Sequence, residues 1–125
     1  MPGVTAAAVN VMAPALIGAA YTAFNNANAR LGVGTSTTAH AIGQTDLLGT
    51  SFRKAMDAGF PTNSSGTLTF KATFGTTEAN FAWNEWGVFN AGSGGTMLNR
   101  KVQSLGTKPS SEQWVLTSTV GVGAS

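Results

Sequence analysis

Most of this chain alternates apolar and polar residues with a period of two, and this pattern restricts it to β-structure. The alternation is cleanest over residues 67–74, where leucine, phenylalanine and alanine are separated by threonine and lysine. Successive side chains of a strand point to opposite faces of a sheet, so this segment predicts a strand with one buried face. Further strands are predicted over residues 79–90, 97–105 and 113–122, because clusters of Gly, Asn, Ser and Pro separate these runs.

Turn signals recur about every 8–12 residues, which is typical of antiparallel sandwiches and small barrels. The chain lacks the alternation of strands with long helical segments that produces a parallel sheet. The sequence therefore predicts a mainly β fold, either an antiparallel β-sandwich or a jelly-roll-like barrel, with one short N-terminal helix. The expected core includes Leu68, Phe70, Phe74, Phe81, Trp114 and Leu116.

Residues 1–24 differ from the rest of the chain because they contain no charged side chain and no period-two pattern. Small residues at 1–12 predict an extended lead-in, and helical spacing after Pro14 predicts a short helix near residues 14–26. We expect residues 1–24 to form an arm and residues 25–125 a single β domain. The arm would present an apolar face to another subunit through Leu16, Ile17, Tyr21 and Phe24. The alternative is a helix that closes one end of the sandwich.

Charge is sparse in this chain, and that limits the partners it is expected to bind. Charged residues make up 10% of the sequence, against about 25% in an average soluble domain. A surface with few charges has a weaker defence against self-association and suits a protein in contact with neighbouring subunits; a neutral, threonine-rich surface on a monomer is the alternative. The net charge is +2 and the basic residues are scattered singly or in pairs. Nucleic acid is therefore not an expected partner.

The uncharged stretch over residues 4–24 also raises the question of a membrane or secretory segment. Asn10 and Pro14 interrupt it, and most of its apolar residues are alanine, which adds little to membrane insertion. No Lys or Arg precedes Arg30, so the positive region of a signal peptide is missing. We expect no membrane partner.

Residues suited to catalysis or metal binding are few. The chain has no cysteine and one histidine, His40, which lies in a segment of Thr and Ala without a nearby carboxylate. The five carboxylates are far apart in sequence: Asp46, Asp57, Glu78, Glu85 and Glu112. We therefore predict no catalytic residue, no cofactor and no metal site, and hence no enzyme.

Aromatic residues cluster over residues 79–90, where they predict a core strand, with a sugar-binding platform as the alternative. Glu85 lies among them, and a carboxylate in such surroundings needs a partner. Arg100 on the next predicted strand is the candidate. The Glu85–Arg100 pair is expected to fix the register of the two strands and to be structural.

Three segments together resemble a pattern in small structural proteins of tailed bacteriophages. The first runs from Ala79-Asn80-Phe81-Ala82-Trp83-Asn84-Glu85-Trp86-Gly87-Val88-Phe89-Asn90 to Gly94-Gly95-Thr96-Met97-Leu98-Asn99-Arg100. The second is Leu31-Gly32-Val33-Gly34-Thr35, which matches an apolar-Gly-x-Gly strand end, and the third is Gln44-Thr45-Asp46-Leu47-Leu48-Gly49. A similar pattern occurs in the attachment domains of tail-collar fibres, and it extends here over roughly residues 25–120.

This resemblance implies assembly and no catalysis. Because no long fibre follows in the sequence, we expect a head decoration or cement protein that binds and stabilises the capsid from its exterior, made in the host cytoplasm. Its expected partners are the major capsid protein and further copies of itself, in a trimer. A tail, collar or fibre-adaptor component is the alternative within the virion. A carbohydrate-binding module that contacts the host surface is the alternative from another class.

Overall fold

A computed structural model of the chain describes residues 5–121 and shows a mainly β fold, as predicted. Seven strands and one helix occur in this described part. In chain order they are α1 (Ala6–Leu16), β1 (Arg30–Gly34), β2 (Ser51–Ala55), β3 (Thr62–Ser64), β4 (Thr67–Phe74), β5 (Glu85–Phe89), β6 (Met97–Val102) and β7 (Trp114–Gly121). The strands form a four-stranded sheet in the order β2-β1-β5-β6 and a three-stranded sheet in the order β3-β4-β7. All strand pairs are antiparallel.

The core lies between the two sheets, and both contribute to one cluster of buried side chains. Phe70 and Phe74 of β4 are completely buried and Leu116 of β7 is nearly so, as the alternation predicts. Leu68, Phe81 and Trp114 are half-buried and pack against the same cluster. Trp114 is partly exposed because it begins the edge strand β7, which has β4 on one side only among the described strands.

Three aromatic rings pack edge-to-face between β4, β7 and the segment that precedes β5. The ring of Trp83 lies 4.8 Å from that of Phe74 and 5.1 Å from that of Trp114, both in edge-to-face geometry. Its indole nitrogen donates to the backbone oxygen of Ala79 at 2.9 Å. The aromatic cluster of residues 79–90 therefore belongs mainly to the core, because edge-to-face rings with a satisfied indole N–H are stable when buried.

The helix lies earlier in the chain than the spacing of apolar residues predicts. It begins after Thr5, whose hydroxyl accepts a hydrogen bond from the backbone N–H of Ala8 at 3.2 Å. It ends at Leu16; Gly18, two residues later, has a φ of +71°, and the backbone N–H of Ala19 donates to the backbone oxygen of Pro14 at 2.9 Å. The alanine run between a threonine cap and a glycine stop outweighs the apolar spacing after Pro14, because alanine has the highest helix propensity.

Pro14 consequently lies in the last turn of α1, where the sequence analysis placed it in the first. The aromatic residues over 79–90 change parity between Trp83 and Trp86, which predicts either a β-bulge near Asn84 and Glu85 or burial on both faces. Every residue of β5 is buried, so the second alternative applies, and the register of β5 shifts later, between Val88 and Phe89. The predicted strand end at Val122 and the lead-in residues 1–4 lie outside the described residues. In the described part of the chain, no helix is long and apolar enough to cross a membrane.

Candidate functional site

The residues of the three resembling segments meet on the outer face of the four-stranded sheet. This face carries Gly32 and Gly34 of β1 beside Glu85 and Gly87 of β5, which are their partners in the β-ladder. The loop over residues 35–50 lies across it, and its Leu47 is buried against Phe89 and Met97. The central strands are therefore covered on both faces, one by the sandwich core and one by this loop.

The Glu85 carboxylate, completely buried, holds the loop at both ends. Its Oε2 accepts from the backbone N–H of Ser36 at 3.0 Å and of Gly49 at 2.8 Å. Its Oε1 accepts from the backbone N–H of Leu48 at 3.0 Å and from Nε of Arg100 at 2.9 Å. Four donors around one carboxylate satisfy most of its acceptor capacity, which is the condition for burying such a charge.

Arg100 extends the same network to the middle of the loop. Its side chain is completely buried, and its Nη1 donates to the Gln44 side-chain oxygen at 3.2 Å. The Gln44 amide nitrogen in turn donates to the backbone oxygen of Ala39 at 3.2 Å. The structure thus brings Glu85 and Arg100 together, and their contacts fix the course of the loop as well as the pairing of β5 with β6.

Glycine is required where the loop and the carboxylate approach the sheet. A Cβ on Gly34 would lie 2.5 Å from Oε2 of Glu85, and one on Gly49 would lie 2.6 Å from the backbone nitrogen of Ser36. A Cβ on Gly87 would lie 2.5 Å from the backbone oxygen of Asn99. Any side chain at these positions would displace the loop or the neighbouring strand. Gly34 of the Gly-x-Gly pattern therefore makes room for the Glu85 carboxylate, whereas Gly87 of the Glu-x-Gly pattern allows the close approach of β6.

Burial alone would raise the pKa of Glu85. The backbone N–H groups of Leu48, Gly49 and Ser36 and the Arg100 guanidinium act in the opposite direction and outweigh it, so that this pKa lies below its ordinary value. The carboxylate is therefore ionised at neutral pH, and hydrogen bonds to its charged form stabilise the folded state.

Arg53 fastens the loop at a second point. Its guanidinium lies 3.6 Å from the centre of the Phe89 ring and donates to the backbone oxygens of Ala91 and Gly94, each at 2.9 Å. Its Nη2 also contacts the Asp46 carboxylate at 3.2 Å. This arginine joins the loop to the turn between β5 and β6. Its role was not predicted from the sequence. The one feature that could have indicated it is the Asp46 loop motif, seven residues earlier.

The loop presents apolar side chains to solvent on this fixed base. Ile42 is 70% exposed and Leu48 is 50% exposed. Apart from Asp46, which is paired with Arg53, the loop has no charged residue. Exposed aliphatic side chains on an uncharged, anchored loop form a surface suited to another protein.

The predicted N-terminal interface residues fall into two groups. Leu16 and Ile17 are 87% and 82% exposed, and Tyr21 is half exposed, so these three are available to a partner. Phe24 instead packs against the core, and Ala8 of α1 is completely buried in it. An apolar groove of about 370 Å³ runs beside α1, lined by Ala8, Val11, Met12, Phe24, Asn63, Gly66, Leu68 and Leu98.

Residues with catalytic potential do not converge in the described part of the chain. His40 lies in the loop, and its Nδ1 is buried without a hydrogen-bond partner among residues 5–121. No group of three or more His, Asp or Glu side chains that could hold a metal ion occurs in that part. Comparison of the chain with protein-family models, curated proteins and solved structures found no match.

Proposed function

We propose that this chain is a structural subunit of a tailed-phage particle, a decoration protein that binds the major capsid protein from outside through the loop over residues 35–50. The observation that carries the proposal is the anchoring of this loop by the buried Glu85 carboxylate, which accepts from Ser36, Leu48 and Gly49. The resemblance of the same residues to phage structural proteins supports the biological setting.

The length of the loop is the first reason to assign it a function. Loops longer than about 12–15 residues without secondary structure are uncommon in compact domains, and ordered ones are usually functional. This one has no helix or strand between Gly34 and Ser51. A buried ion pair and several glycines hold the loop in place. Leu47 covers Phe89 and Met97, but the other apolar side chains of the loop are exposed.

Rigidity is the second reason. A loop that is already ordered loses little conformational entropy on binding, so more of its contact energy appears as affinity. Ile42 and Leu48 are aliphatic anchors of the kind that fill pockets on a partner surface. Because the loop is uncharged apart from Asp46, its binding would depend on apolar and neutral polar contacts.

The test is a binding assay with particles of the phage that encodes the chain, prepared without this protein. Purified Ile42→Asp and Leu48→Asp variants are expected to bind these particles at least about tenfold more weakly, because each buries a carboxylate without a partner. The melting temperature of Ile42→Asp should equal that of the wild type, since this side chain is 70% exposed. Leu48→Asp places a second carboxylate close to that of Glu85, so its melting temperature is measured alongside its binding.

Leu16→Asp is the matched control, because Leu16 is an aliphatic residue even more exposed than Ile42. It also tests the N-terminal interface predicted from the sequence. If Leu16→Asp abolishes binding and the two loop variants do not, the arm is the contact surface and the role given to the loop is wrong.

The number of copies per particle distinguishes a decoration protein on the head from a tail or collar component. A decoration protein should be present in purified particles at a level comparable to the major capsid protein, as measured by quantitative gel electrophoresis. A few copies per particle would instead place the chain in the tail or collar.

A further inference from the structure

The three-stranded sheet ends in β7, a long strand with a free edge. β7 pairs with β4 along its whole length, from Thr67 opposite Gly121 to Phe74 opposite Trp114. On its other side no strand from residues 5–121 follows in the sheet. In the described part of the chain, no backbone group of residues 114–121 makes a hydrogen bond outside the ladder with β4. A row of unpaired N–H and C=O groups is therefore available.

The other sheet edges carry features that discourage strand pairing. β2 contains Arg53 and Lys54, and β3 has only three residues. The start of β6 is covered by the N-terminal segment, because the backbone N–H of Thr5 donates to the oxygen of Leu98 at 3.0 Å. Charge, shortness and a covering segment are the usual protections of a sheet edge. β7 has none of them among its described residues.

The sequence of β7 favours pairing. Its eight residues, WVLTSTVG, include no charged residue and no proline, and its interior has no glycine. Leu116, Ser118 and Val120 point into the sandwich, whereas Val115, Thr117 and Thr119 are exposed. β-branched residues on the outer face pair well across strands. An exposed strand of this composition is normally covered in the functional state of a protein.

We infer that the free edge of β7 pairs antiparallel with β7 of a second copy of this chain, about a two-fold axis. Such pairing would join the two three-stranded sheets into one sheet of six strands, β3-β4-β7-β7-β4-β3. This contact is independent of the proposed role in a phage particle.

Self-complementarity is the reason for choosing a second copy over another partner. In an antiparallel pair, directly opposite residues lie on the same face of the sheet. When a two-fold axis passes beside any residue of β7, the core-facing residues of one copy therefore lie opposite core-facing residues of the other. The exposed threonines of one copy then lie opposite threonine or valine of the other. Because β7 is uncharged, the two copies do not repel each other, and a charged peptide would gain no electrostatic attraction there.

A cleft beside β7 also favours a second copy of this chain as the partner. It is open, measures about 580 Å³, and is lined by Trp83, Leu105 and residues 113–117. Leu105 is 38% exposed there. A second β7 placed along the edge would lie beside this cleft and cover part of its apolar wall. The same contact thus satisfies the open backbone groups and removes apolar surface from water.

The first test measures the mass of the intact protein in solution by sedimentation equilibrium. The wild type should associate reversibly to twice the chain mass of 12.7 kDa. Val115→Lys and Thr119→Lys should shift the protein to the monomer, with a dissociation constant raised at least about tenfold, because lysine on an edge strand disfavours pairing with another strand. The circular dichroism spectrum should be unchanged, since both positions are exposed, and the melting temperature should equal that of the wild type at concentrations where the wild type is monomeric.

The second test uses cysteine cross-linking and does not depend on those variants folding well. The chain has no cysteine, so Val115→Cys, Thr117→Cys and Thr119→Cys each introduce a single thiol. Opposite residues of an antiparallel pair lie within disulfide distance. Under mild oxidation, at least one of these variants, or a mixture of Thr117→Cys with either Val115→Cys or Thr119→Cys, should form a covalent dimer rapidly.

Thr62→Cys is the control, because Thr62 is an exposed threonine on the short edge strand β3. If Thr62→Cys cross-links as fast as the β7 variants, collisions explain the dimers and the inference fails. A wild type that stays monomeric up to its solubility limit overturns it as well. So does a trimer in which no β7 cysteine cross-links.

Discussion

Replacing Glu85 by glutamine is the sharpest test of the anchored loop. The substitution keeps the shape of the side chain but removes its charge and replaces one acceptor oxygen by a donor NH₂ group. All four groups that contact this carboxylate are donors: the backbone N–H of Ser36, Leu48 and Gly49, and Nε of Arg100. The new NH₂ group therefore faces donors in either orientation, and the buried Arg100 loses its counter-charge.

The expected cost follows from the burial of the pair. Both side chains are 0% exposed, and removing one partner of a buried ion pair typically costs about 3–5 kcal/mol. Unfolding entropy near 60 °C is about 2.1 cal/mol/K per residue, which for 125 residues converts this loss to a fall in melting temperature of about 10–20 °C. The free energy of unfolding should be measured by urea titration and the melting temperature by calorimetry.

Glu78→Gln is the matched control. Glu78 contacts Lys54 at 2.7 Å, but the two side chains are 23% and 34% exposed, so its loss should cost no more than about 1 kcal/mol. Amide hydrogen exchange adds a local readout: Ser36, Leu48 and Gly49 should lose protection in Glu85→Gln and keep it in Glu78→Gln. If the two variants cost the same, or if Glu85→Gln leaves these amides protected, Glu85 does not anchor the loop.

Three further outcomes are expected. Because the pKa of Glu85 is lowered in the folded state from a reference of 4.5, its stabilising contribution is complete above pH 4.5 and is lost as pH falls through the lowered value; urea titrations over this range should show a smaller loss in Glu85→Gln than in the wild type, because the variant keeps only the contribution of Glu78, whose pKa is also lowered. Gly49→Ala should cost about 1–3 kcal/mol by forcing the loop against Ser36, whereas Gly43→Ala, where a Cβ would meet nothing within 4 Å, should change the unfolding free energy by less than about 0.5 kcal/mol. Thr5→Ala should cost about 1–2 kcal/mol by removing the cap of α1, and equal stability in urea would show that the cap is dispensable.

Much of the fold follows from local sequence. The alternation over residues 67–74 predicts the strand that the structure shows as β4, with the same bounds. Turn signals likewise predict the antiparallel hairpin of β5 and β6. These features depend on the two-residue period of a strand and on glycine-rich turns, both of which are visible in a short window of sequence. The helix lies earlier in the chain than predicted, because the threonine cap and the alanine run before Pro14 favour a helix more strongly than the apolar spacing after it.

The sequence by itself determined that this protein is mainly β, that it has few charges, and that a glutamate among aromatic residues needs an arginine. Only the tertiary structure decided that this glutamate also accepts from loop residues 36, 48 and 49, which are 49, 37 and 36 positions away in the chain. It also decided which strand is left at a free edge. The physical reason is that alternation and turn chemistry act between near neighbours, whereas the burial of a charge and the order of strands in a sheet depend on contacts between distant segments.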